Sequence, residues 1–135
     1  MIKTSAIKPN PRNQQRVDVA TNVRIEKLDG SSLVCSVYNI SRTGIMISCG
    51  QEDAESLMPG QQLPPPGTWI EVKVSFSVPV SASEPVPVLA HGHIVHLRRV
   101  SRHEFQIGLQ FTEFDDDGFE YVDRYVSQFL AAATT

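Results

Sequence analysis

Arg12 and Arg16 stand four residues apart, just ahead of the first apolar alternation of the chain. An offset of four puts two side chains on one side of the backbone in a helical turn and in an extended strand alike. Pro11 biases Asn10 away from helix, so the pair is expected in an extended or irregular stretch. A guanidinium donates two parallel hydrogen bonds to phosphate oxygens or to the O6/N7 edge of guanine. It also stacks its flat face on a base. Lysine does neither as well, and the pair reads as a clamp for a planar, phosphorylated ligand.

A second set follows in Asn39-Ile40-Ser41-Arg42-Thr43-Gly44. Asn39 offers a donor and an acceptor suited to a base edge, and Ser41 offers a hydroxyl to phosphate or backbone. Gly44 permits positive φ or the close approach of a ligand. Arg42, inside this segment, is counted with the ligand-binding residues. The same spacing also suits a plain turn held by a side-chain-to-backbone bond. Asn39-Ile40-Ser41 is in addition a glycosylation sequon, which carries no meaning in a cytoplasmic protein.

The arginine pair alone arises often from average composition and the second pattern less often; their order and placement carry the reading. R-x-x-x-R followed some twenty to thirty residues on by [D/N]-x-S-x-x-G resembles the signature of the PilZ domain family, whose members bind the bacterial second messenger cyclic di-GMP. Arg12 and Arg16 match the first part; Asn39, Ser41 and Gly44 match the second. Ala90-His91-Gly92-His93-Ile94-Val95 is similar to the family's small-x-G-x-V strand, and Gln106-Ile107-Gly108-Leu109-Gln110-Phe111 to its I-G-x-x-F strand. The resemblance covers residues 10–130 or so. It implies a six-stranded antiparallel β-barrel with a C-terminal helix, cyclic di-GMP as ligand, no further cofactor, and no enzymatic activity. Pro11 departs from the basic residue that many members carry there, a position tied in the family to binding one ligand or a stacked pair.

The elements that must position these residues are legible from periodicity. Val17, Val19, Thr21, Val23 and Ile25 alternate as one half-buried strand. Asp29-Gly30 is a hairpin signal, and Leu33, Cys35 and Val37 return from it. The pattern breaks over 39–44 and resumes at Ile45. Residues 49–67 read as a long Pro- and Gly-rich loop with a helical turn over 53–57. Strands are expected over 69–76, 88–97 and 104–111, with an irregular loop at 79–87 and a bulge or close approach at Gly108. Asp115, Asp116 and Asp117 are candidate caps for a helix over 116–131, whose Phe119, Val122, Val126, Phe129 and Leu130 recur at helical spacing. The pattern is mainly β, a small barrel or sandwich closed by one helix. Residues 1–10 are read as a flexible N-terminal arm, 11–131 as the barrel domain with its helix, and 132–135 as a tail.

The chain has 135 residues and a net charge of −3, at first sight a poor home for an anion. Position reverses that inference. Residues 113–124 hold six acidic residues and one basic; outside them eleven basic and nine acidic residues remain, a balance of +2. The first sixteen residues carry Lys3, Lys8, Arg12 and Arg16 and no acid; residues 85–103 carry Arg98, Arg99, Arg102 and all four histidines, again with no acid. That basic run either lines the ligand site or is a solvated strand end.

Other classes are less well served. His91 and His93 fall on one strand face without a third ligand at metal spacing and read as a solvated face. Trp69 reads as core or rim. The ten aromatic residues form no stacking cluster of the kind a single-strand nucleic-acid barrel needs. No arrangement of nucleophile, paired carboxylates or phosphate-cradling loop argues for an enzyme. No apolar run approaches the ~20 residues of a membrane helix, the start carries no signal-peptide core, and Cys35 and Cys49 are expected as free thiols in the cytoplasm. The partners expected are cyclic di-GMP and an unidentified effector protein (a motor, pilus, polysaccharide synthase or chemotaxis component), with no DNA or RNA. The alternative is a protein-interaction adaptor of the same fold acting independently of cyclic di-GMP.

Overall fold

The computed structural model describes residues 5–6, 17–18, 21–79 and 85–133. Among the described residues there are eight strands. The two-residue β1 (Ser5–Ala6) and β2 (Val17–Asp18) are followed by β3 (Asn22–Lys27), β4 (Ser32–Ile40), β5 (Gly44–Cys49), β6 (Glu71–Val78), β7 (Val86–Arg99) and β8 (Phe105–Phe114). Helix α1 (Gln51–Leu57) and a 3-10 turn (Pro59–Gln61) lie between β5 and β6, and α2 (Gly118–Ala133) ends the fold.

Strands β3 to β8 form a ring. Each pairs antiparallel with two others, in the order β3-β4-β5-β8-β7-β6 and back to β3. This is a closed six-stranded antiparallel barrel, which leaves no unpaired edge. Closure follows from strict alternation: Val23 and Ile25, Cys35 and Val37, Ile45 and Ile47, Val72 and Val74, and Ile107 and Leu109 point inward and are buried. Helix α2 plugs one end with Val122 and Val126, both fully buried. Phe119 meets Phe114 at 5.8 Å, Phe114 meets Phe111 at 4.8 Å and Phe111 meets Phe76 at 6.1 Å, so an aromatic column joins helix to core.

The Asp29-Gly30 hairpin forms as expected. Gly30 sits at φ +90°, which a β-carbon would oppose. Ser31 donates its amide (2.8 Å) and hydroxyl (2.5 Å) to the Asp29 carboxylate, holding that carboxyl below its usual range. Cys35 and Cys49 are free, buried thiols, one position beyond the paired Ser36 and Ser48 on β4 and β5. Their mutual hydrogen bond, reinforced by burial, pushes the Cys35 thiol well above its usual range, and the same bond pulls Cys49 down.

Several boundaries differ from the sequence expectation. The alternation from Val17 to Ile25 is not one strand. Val17 and Asp18 pair with Ile40 and Asn39, whereas Asn22 pairs with Ser36, a register offset by one residue. The offset falls where the register of β4 against β5 also slips, between Val37 and Asn39. Tyr38 is the extra residue, turned out and exposed, and the bulge returns Ile40 to the core. The loop over 49–67 holds a seven-residue α1 that starts earlier than the expected 53–57 turn. The helix expected from 116 starts at Gly118. Asp116 takes φ +52° instead, and the Asp117 carbonyl accepts from the Tyr121 amide.

Candidate functional site

The second motif spans the turn between β4 and β5. Ser41 is fully buried there. Its hydroxyl accepts from the amides of Thr43 (3.2 Å) and Gly44 (3.1 Å) and lies 3.3 Å from the Gly44 carbonyl, while its own amide donates to that carbonyl at 2.8 Å. One hydroxyl thus satisfies the turn's inward amides. The Thr43 carbonyl accepts from the Phe111 amide at 2.8 Å, which ties the turn to β8. Gly44 lies against the same strand, and a β-carbon there would stand 2.4 Å from the Leu109 carbonyl oxygen.

Asn39 is half-buried at the end of β4, directly after the bulge at Tyr38. Its backbone neighbours are Met46 on one side and Asp18 on the other. Strand β2 therefore lays the residues that immediately follow Arg16 alongside Asn39 and Ile40. Arg12 and Arg16 themselves lie outside the described residues. The structure brings the other four sequence-selected residues, Asn39, Ser41, Arg42 and Gly44, together at the β4–β5 turn and the strand ends that flank it.

Arg42 faces inward. Its side chain is 2% exposed; Nε donates to Asp123 Oδ1 at 2.5 Å and one terminal nitrogen to Ser127 Oγ at 2.7 Å. A guanidinium tolerates that burial only with partners for its charge and its N–H groups, and Asp123 and Ser127 both come from α2. Sequence reasoning did not select Asp123 or Ser127. Their signal is present: two polar residues one helical turn apart, each directly following a core valine of the apolar stripe.

At Gly108 a β-carbon would meet His96 Cβ at 2.9 Å and Met46 Cε at 3.7 Å, so the close approach expected from that glycine is present and is made by side chains. Arg98, Arg99 and Arg102 are exposed around the β7–β8 turn, where Arg99 bonds the carbonyls of Ser101 and Arg102 and lies over the Phe105 ring at 5.8 Å. Gly44 pairs with Gln110 and Cys49 with Phe105. Five residues of β8, about 17 Å at strand rise, therefore separate that turn from the motif. His91 faces Asp115 at 3.6 Å. His93 packs against Trp69 with ring centroids 4.3 Å apart and the rings tilted by 34°, and Trp69, 58% exposed, sits on the rim ahead of β6. Among the described residues no cluster of three or more His, Cys, Asp or Glu is placed to hold a metal ion. A groove of about 240 Å³ crosses β3, β6 and β7 between Arg24, Lys73, His91 and Asp115, away from the motif turn. No described helix is long and apolar enough to cross a membrane.

Known proteins share this fold. The Bacillus subtilis inhibitor of motility MotI/DgrA superposes with a TM-score of 0.63 at 14% identity, over 93% of this chain and 53% of that one. MrkH of K. pneumonia, in its apo state, gives 0.61 at 13% identity, over 95% of this chain and 54% of that one. The chain thus spans about half the length of either, and at such identities the likeness is one of fold. No curated protein sequence matches. The sequence pattern of the PilZ domain matches residues 10–128, a span that takes in both arginines, the motif turn, the whole barrel and most of α2. With a pattern match of that extent and a barrel that carries N-x-S-x-x-G on its β4–β5 turn, the chain belongs to the PilZ domain family.

Proposed function

We propose that this chain is a cytoplasmic receptor for cyclic di-GMP that acts on a partner protein and catalyses no reaction. The observation that carries the reading is the pairing of Val17 with Ile40 and Asp18 with Asn39, which lays the chain just after Arg16 against the second motif. In this reading Arg12 and Arg16 close over guanine and phosphate, Asn39 meets a base edge, and Ser41 and Gly44 hold the turn. Family membership supports the ligand class, since binding cyclic di-GMP is what the two motifs do in PilZ domains.

Closing the arginine-bearing arm on the ligand changes the surface offered to a partner, an order–disorder switch driven by the ligand's differential contacts. The partner is an effector of motility, biofilm or polysaccharide control, such as a motor, pilus, polysaccharide synthase or chemotaxis component. Titration of the isotope-labelled chain tests the placement. Cyclic di-GMP is expected to shift the amides of Asp18, Asn39 and Ser41 to Gly44 saturably, with GMP leaving them in place. Shifts confined to other strands would refute this site.

A further inference from the structure

The motif turn is held from two sides, and the two holds differ in kind. On the barrel side a backbone bond from Phe111 to Thr43 makes the turn part of the sheet. On the other side the only charged side chain of the turn reaches across to a different element. We infer that Arg42 is a positioning residue that latches the motif turn to α2, and that α2 is the element through which occupancy of the turn is passed on.

Arg42 lies between Ser41, whose hydroxyl organises the turn, and Thr43, whose carbonyl anchors it to β8. Its Nε and a terminal nitrogen are taken by Asp123 and Ser127, residues one helical turn apart on α2. Gripping two successive turns of a helix fixes its rotation as well as its distance. Asp123 and Ser127 follow Val122 and Val126, whose burial seats α2 on the barrel end. Any rotation of α2 that moves those valines therefore also pulls on Arg42. Moving Arg42 displaces the backbone whose amides Ser41 holds. The guanidinium is 2% exposed and the Asp123 side chain 41%, so the cation is the deeply desolvated member. Leaving it without its carboxylate is the costly event, and the coupling runs through the turn. The latched turn is the conformation that presents Asn39. A ligand that favours it also favours a seated α2, and by reciprocity a loosened α2 weakens the ligand.

The inference rests on the ligand reading above, and its test separates the two. Calorimetry with cyclic di-GMP is run on the wild type, Asp123→Ala and Ser127→Ala, with amide hydrogen exchange followed at 41–44 and 120–128 with and without the dinucleotide. The dissociation constant is expected to rise about tenfold in Asp123→Ala, within the usual span of coupling between sites, and by a smaller factor in Ser127→Ala, which also serves if the first variant folds poorly. Cyclic di-GMP should slow exchange in α2 of the wild type and lose that effect in Asp123→Ala. Unchanged affinity with unchanged α2 protection overturns the latch while leaving the receptor intact. Tighter binding in Asp123→Ala also overturns it, because Arg42 would then be a ligand group held back by the helix. If the wild type binds nothing, the receptor reading falls. The latch is then judged without ligand: faster exchange at 42–44 in Asp123→Ala sustains it, and unaltered exchange there removes it.

Discussion

Alanine at Arg16 is expected to weaken cyclic di-GMP binding by a hundredfold or more. A charge-assisted hydrogen bond contributes about 1.5–3 kcal/mol, and a guanidinium on phosphate or on the guanine edge makes two. The loss is then ~3–6 kcal/mol, or roughly two to four powers of ten at 1.4 kcal/mol per decade. Arg16 precedes the Val17–Ile40 and Asp18–Asn39 pairs, so no long stretch of chain separates it from the second motif. Lysine at the same position restores charge without the planar fork and is expected to recover only a small part of the affinity. Arg12→Ala should act in the same direction, and the two substitutions together should not sum, since both arginines grip one ligand. Calorimetric titration of each variant reads the effect. An affinity for Arg16→Ala within threefold of wild type would show that the arginine pair is not the clamp.

The second large effect is on stability. Gly44→Ala is expected to cost about 3 kcal/mol, near the upper part of the range for forcing extra volume into a packed site. The added carbon would lie 2.4 Å from the Leu109 carbonyl oxygen and 3.5 Å from Gln110 Cα. Both are backbone atoms of β8 that no rotamer change can move. Relief requires β5 and β8 to part at the Gly44–Gln110 pair, which also strains the bond from Phe111 to Thr43. For a domain of 135 residues the melting temperature should fall by about 10 °C. Gly108→Ala is the informative contrast. Its new carbon would lie 2.9 Å from His96 Cβ, an atom fixed to the β7 backbone, and in ordinary contact with Met46 Cε at 3.7 Å; the overlap is smaller than the 2.4 Å approach at Gly44, so the loss should be below that of Gly44→Ala. Gly92→Ala, 2.5 Å from the Gln110 carbonyl oxygen, should resemble Gly44→Ala in stability while lying off the motif. Melting curves that rank Gly108→Ala as the most damaging of the three would contradict this packing argument.

What could be read in the chain beforehand follows from the range over which each feature is determined. The Asp29-Gly30 hairpin is local: it depends on one positive φ and one carboxylate that accepts from Ser31. The inward residues of β3 to β8 show as alternation because every barrel strand has one face in the core. The first strand was harder to read. Val17 to Ile25 alternates without interruption, yet the chain is offset by one residue where Tyr38 bulges from β4, and the partner strand's irregularity leaves no mark on the alternation. The Ser41 turn was foreseeable as a side-chain-to-backbone turn, since its bonds stay within three residues. Arg42 was not. Its sequence neighbours suggested a ligand residue, while its inward placement depends on Asp123 and Ser127, about eighty residues away and reachable only once α2 docks. The acidic run that seemed a liability for anion binding supplies one of those partners.

The receptor reading stands or falls on one titration. Purified chain is titrated with cyclic di-GMP in a calorimeter at moderate salt, with cyclic di-AMP as the control for base recognition. A saturable heat is expected with cyclic di-GMP, absent with the control and lost when Arg12 and Arg16 are both alanine. No saturable heat in the wild type, or a heat unchanged in the double variant, would contradict it.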